Sequence, residues 1–154
     1  MTRAGFKTSE IESWEEQVEK ILEEANEFVK KVARVLGVEA PLVKHAYIIL
    51  NKYLERPIFR GLYDHETNII AVSILFPFRS IEDFERTVRH EITEWLTYFV
   101  EGRERLRIIE GHNDPLFRRI YSAVKRHYPN NPRRLAEYVL TLKTKISDTA
   151  RSFV

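Results

Sequence analysis

A chain of 154 residues, 44% hydrophobic and 31% charged, suits one compact domain over residues 1–154 and can bury an adequate core. The absence of cysteine excludes disulfides, thiolate catalysis and cysteine-held zinc, so any metal must be held by His and carboxylate. No apolar run approaches the length of a membrane span, and the polar start Met1-Thr2-Arg3-Ala4-Gly5 does not resemble a secretory signal, so a soluble cytoplasmic protein with no membrane partner is expected.

The first element is a helix over residues 9–36. Ile11, Trp14, Val18, Ile21, Leu22, Ala25, Phe28, Val29, Val32 and Leu36 fall on one side, and Gly37 is its stop. Residues 42–54 fit either period, because Val43, Tyr47, Leu50 and Leu54 match a helix while the run Tyr47-Ile48-Ile49-Leu50 matches a buried strand. A strand is expected there. Residues 57–63 and 69–75 are short, rich in β-branched and aromatic side chains, and separated by Asp64-His65-Glu66-Thr67-Asn68, which predicts a hairpin.

A second helix begins after Ser80. Ser80 and Asp83 have the spacing of a capping box, Glu82 and Asp83 favour the positive helix start, and Gly102 ends the element. Ile81, Phe84, Val88, Ile92, Trp95, Leu96 and Phe99 form its apolar stripe, while His90, Glu94 and Tyr98 make a polar row with Glu91 at its edge. Farther on, Asn113 or Asp114 caps a helix whose first turn holds Pro115, and a further helix over 132–150 follows the breakers Pro129-Asn130-Asn131-Pro132.

The chemistry concentrates in His90-Glu91-Ile92-Thr93-Glu94 and in Gly111-His112-Asn113-Asp114-Pro115-Leu116-Phe117. His90 and Glu94 lie four residues apart and project from one helical face, as two ligands of a single ion must. With His112 they form a His, Glu, His trio, a set found in catalytic zinc sites whose fourth position holds water, and Glu91 is placed to take a proton. The familiar signature is H-E-x-x-H, and here Glu94 stands where its second histidine belongs. A plain i, i+4 contact is the alternative for Glu94, a helix-start cap the alternative for His112, and Glu110 is a rival ligand beside it. His45, His65 and His127 have no partner at ligand spacing and read as structural or solvated.

The hairpin strand, then Thr87-Val88-Arg89-His90-Glu91, then the Gly-His motif ending in Phe117 resemble the small zincin-like metallopeptidases of the SprT-like, WLM-type and minigluzincin families, over roughly residues 57–127. The resemblance implies a zincin-like α+β domain, a small antiparallel sheet packed on an active-site helix and several further helices. It also implies His90 and His112 as zinc ligands, Glu91 as the base and a peptide or protein as substrate. Glu94 departs from that pattern and leaves room for another divalent metal.

Charge is uneven. Residues 1–102 carry 13 basic and 18 acidic side chains, and residues 103–154 carry 12 and 5, so the C-terminal third is basic. Arg118, Arg119, Lys125, Arg126, Arg133, Arg134, Lys143 and Lys145, interleaved with Tyr121 and Tyr128, form a candidate phosphate-facing patch for nucleic acid, with solvated helix faces as the alternative. Three functions follow in order: a zinc-dependent metallopeptidase, a non-catalytic member of the same fold that binds metal weakly or not at all, and a nucleic-acid-binding module. One Met among abundant Glu, Lys and Arg also leans towards a thermophilic source.

Overall fold

A computed structural model of the protein describes residues 13–48, 59–102 and 114–152, with side chains to residue 146. Its elements run α1 (Trp14–Leu36), β1 (Leu42–Ala46), β2 (Gly61–Asp64), β3 (Ile69–Ser73), α2 (Ile81–Glu101), α3 (Pro115–His127) and α4 (Pro132–Ser152). The class is α+β. No helix among the described residues is long and apolar enough to cross a membrane.

Local chemistry sets the helix ends. Ser13 and Glu16 close a reciprocal capping box on α1, and Gly37 ends it in the left-handed region at φ 74°. On α2 only half of the expected box forms. The Ser80 hydroxyl accepts from the Asp83 amide, but the Asp83 carboxylate accepts from Arg60 at 2.6 Å and, at 3.5 Å, from the amide of Arg79, one residue before the cap. Gly102 ends α2 at φ 73°, and Asp114 caps α3 with Pro115 in its first turn.

The sheet differs from the antiparallel one expected. Its order is β1-β3-β2: β2 pairs antiparallel with β3 as a hairpin, whereas β1 pairs parallel with it from Leu42↔Ile69 to Ala46↔Ser73. A parallel neighbour needs a connection of a dozen or more residues, and residues 47–68 between β1 and β3, which include β2, supply that length. β1 also lies earlier than the apolar run from Tyr47 suggests. Tyr47 is 65% exposed, Ile48 is buried, and residues 49–54 lie outside the described residues. Asn26 of α1 secures this strand, since its side-chain amide donates to the Val43 carbonyl at 2.9 Å and accepts from the Val43 amide at 2.9 Å. An edge that would otherwise present unpaired groups is thereby closed.

α2 is the central element and packs against α1, α3, α4, β2 and β3. Phe84, Val88, Ile92, Trp95 and Leu96 are buried as the predicted stripe requires, while Ile81 and Phe99 are only partly covered and Val100, outside that stripe, is buried as well. Around them lie Phe28, Val29 and Val32 of α1, Ile70 and Val72 of β3, Ile120 and Val124 of α3, and Leu135, Ala136 and Val139 of α4. Three threonines on α2 are also buried. Thr87, Thr93 and Thr97 each donate to the carbonyl four residues back, so neighbouring elements press on the helix with none of these hydroxyls left unsatisfied.

Candidate functional site

Burial on nearly every side of α2 changes the setting of the polar row. At about 100° per residue, Glu94 lies about 40° round the helix from His90, Tyr98 about 80° and Glu91 about 100°. The row therefore drifts from one neighbour to another. His90 faces α3, where Phe117 and Tyr121 lie at ring-centroid distances of 5.0 and 6.4 Å. Glu91 faces β2, where it meets Gly61, and Glu94 falls between them.

His90 and Glu94 meet. Nε2 of His90 stands 3.5 Å from Oε2 of Glu94, with 23% and 13% of their side-chain surfaces exposed. Two donors each about 2.0–2.2 Å from a tetrahedral ion stand about 3.3–3.6 Å apart, so this separation suits a shared ion as well as a direct ion pair. Glu91 is deeper, with 2% of its surface exposed. A carboxylate at that depth requires a proton, a cation or several hydrogen bonds. None of the three side chains stands alone, since each has at least one further polar or ring interaction.

The depth of Glu91 has a backbone cause. A Cβ on Gly61 would stand 2.8 Å from Glu91 Cγ, 3.0 Å from Thr87 Cγ2 and 3.0 Å from the Ala71 carbonyl oxygen. Only glycine lets β2 lie this close to α2. The strand then runs along the helix: Tyr63 approaches Tyr98 at 6.0 Å, and His65 stacks on Tyr98 at 4.7 Å with 11° between the planes.

Tyr63 donates to Asn68 Oδ1 at 3.0 Å, and burial, then Tyr98 and Asp64, push its pKa up to about 12. Its hydroxyl is thus a neutral donor across the physiological range. Gly61, Tyr63 and His65 are site neighbours that sequence spacing does not single out. His65 reads as structural or solvated from the sequence, and the one available signal is its place in the turn of the hairpin that precedes the motif helix.

His112, the third expected ligand, and Glu110, its rival, lie outside the described residues. Among the described residues no three His, Asp or Glu side chains gather as a metal-binding group. The motif's last residue, Phe117, is described: it is buried, lies against His90 and stacks on Tyr121 at 6.0 Å. No family model, curated protein or solved structure matches this chain. The functional reading therefore rests on geometry and chemistry.

The basic patch is only partly as expected. Arg118, Arg119, Lys125, Arg126, Arg133, Arg134 and Lys145 are exposed, and Arg133 pairs with Glu137 at 3.7 Å. Lys143 instead turns inward, donating to the Phe99 carbonyl at 2.8 Å and lying over its ring at 4.7 Å. Neither tyrosine is an open stacking platform. Tyr128 is buried edge-on against Phe28, and Tyr121 is half-buried between His90 and Lys125.

Proposed function

We propose that this chain is a zincin-like, zinc-dependent metallopeptidase in which His90, Glu94 and His112 hold the ion and Glu91 is the general base. The 3.5 Å separation of His90 Nε2 and Glu94 Oε2 carries the reading, because two donors of the right type stand at the spacing one ion requires. The packing of Phe117 on His90 supports the third ligand. It brings the start of α3, three residues beyond His112 in sequence, to the His90 side of α2.

When bound, a divalent ion supplies polarisation of the scissile carbonyl and acidification of the attacking water. Glu91 accepts a proton from that water and returns it to the leaving amine nitrogen. Its shelter beneath Gly61 keeps bulk water away from the carboxylate. Phe117 and Tyr121 hold the His90 ring from the other side. Metal analysis of the untagged protein tests the reading, with about one divalent ion per chain expected. Metal-free protein that takes up no zinc on dialysis would overturn it. Stable metal without peptide hydrolysis would assign the non-catalytic member of the same fold.

A second reading has its own observation. α3 carries no acidic residue, and Arg126 and Arg134 stand close enough to help push the His127 pKa down, after burial. Cations from two helices thus converge at the α3–α4 junction, the kind of surface that takes a nucleic-acid backbone. DNA affinity that falls steeply with salt and is unchanged by His90→Ala supports this role, and salt-independent or absent binding removes it.

A further inference from the structure

One helical turn beyond Glu94, Tyr98 opens on a cavity of about 350 Å³ between the β2–β3 turn and the C-terminal ends of α1 and α2. Its lining includes Tyr63, His65, Tyr98 and Phe99 together with the exposed acidic residues Glu39 and Glu66. Among the described residues, no lysine or arginine lines it. Lys143, the cation over the Phe99 ring, is held by the Phe99 carbonyl and is not part of the lining.

We infer that this cavity binds a basic side chain, lysine or arginine, of a peptide segment. Aromatic faces attract a cation through their negative quadrupole, and the two acidic residues in the lining, Glu39 and Glu66, complete the match. The walls are also held in place before any ligand arrives. Tyr63 is fixed by its hydrogen bond to Asn68, whose side-chain amide in turn donates to the Glu39 carbonyl at 3.3 Å, and Tyr98 is fixed by the stacked His65. Walls ordered in advance lose little freedom on binding.

Tyr98 also sets the position relative to the chemistry. It lies on the helix that carries Glu91 and Glu94, about 6 Å beyond Glu94 along the axis at 1.5 Å per residue. An extended peptide advances about 3.3 Å per residue, so one lying along α2 would place the basic side chain about two residues from the bond being cut. This role as a substrate subsite rests on the peptidase reading. The binding of a basic side chain does not.

The test uses the full chain and capped peptides that differ at one central residue: lysine, arginine, norleucine or glutamate. Norleucine matches the lysine stem without its charge. Calorimetry is expected to show lysine and arginine peptides binding about tenfold more tightly than the norleucine peptide, and the glutamate peptide more weakly still. The preference should fall in Glu39→Gln/Glu66→Gln and persist in His90→Ala. Norleucine binding as tightly as lysine, a preference undiminished by the double substitution, or no saturable binding of the lysine peptide would each overturn the inference. Cleavage separates it from the peptidase reading. Selective lysine binding without any hydrolysis sinks the peptidase and keeps the cavity, whereas hydrolysis with no preference for lysine over norleucine in binding sinks the cavity and keeps the peptidase.

Discussion

Gly61 of β2 and Glu91 of α2 are packed against each other so closely that the space for a single methyl group is missing. An added Cβ would reach 2.8 Å from Glu91 Cγ and 3.0 Å from the Ala71 backbone oxygen, and that oxygen belongs to the paired strand β3. Gly61→Ala should therefore push β2 off α2 and destabilise the protein by about 1–3 kcal/mol, as overpacking does. Denaturant unfolding measures it. A midpoint equal to wild type would show that the strand does not press on the helix.

Glu91→Gln keeps the size of the buried side chain and removes its ability to accept a proton. Under the proposed mechanism, peptide hydrolysis should fall by about 10² to 10⁴, while metal content stays at the wild-type level because Glu91 is not a ligand. Thermal stability should stay near wild type, since the substitution keeps the size and hydrogen-bonding capacity of the buried side chain. Full turnover in this variant would rule out Glu91 as the base.

Glu94→His restores the commoner ligand set at a position already facing His90 across 3.5 Å. Zinc affinity should rise, read by competition with a coloured chelator. Unchanged or weaker binding would mean that Glu94 makes an ordinary ion pair with His90 and does not touch the metal.

Asp83 offers a pH test independent of any metal. The Arg60 guanidinium, donating at 2.6 Å, is the largest influence holding its carboxyl below the ordinary value; burial opposes it, while the Arg79 amide and the Arg86 charge add to it. A carboxyl with a lowered folded pKa stabilises the fold above its unfolded value, near pH 4, and that contribution disappears as pH falls through the folded value. Asp83→Asn should cost about 1 kcal/mol at pH 7, a modest figure because Arg60 is 51% exposed to screening water. The gap between variant and wild type should close on acidification below about pH 4. A gap constant from pH 7 to pH 3 would show that the ion pair is not its source.

The helices and most of their ends were legible in the sequence, since caps and apolar spacing act within a few residues; the exception is the start of α1, expected at residue 9 but set at Trp14 by the Ser13–Glu16 capping box. Ser80, Gly37, Gly102, Asp114 and Pro115 all do locally what their types dictate. The i, i+4 meeting of His90 with Glu94 follows from helical geometry in the same way. Tertiary structure decided what no local rule reaches. Whether β1 runs parallel or antiparallel depends on the path of the chain between strands, and the partner of Val43 proved to be a helical side chain, Asn26. The shortest contact of the Asp83 carboxylate is with Arg60, 23 residues earlier in the chain, because a guanidinium holds a carboxylate more strongly than a single amide does. The depth of Glu91 was hidden for a similar reason: periodicity places a residue on a face of a helix, but only the neighbour that glycine admits, here Gly61, determines whether that face meets water.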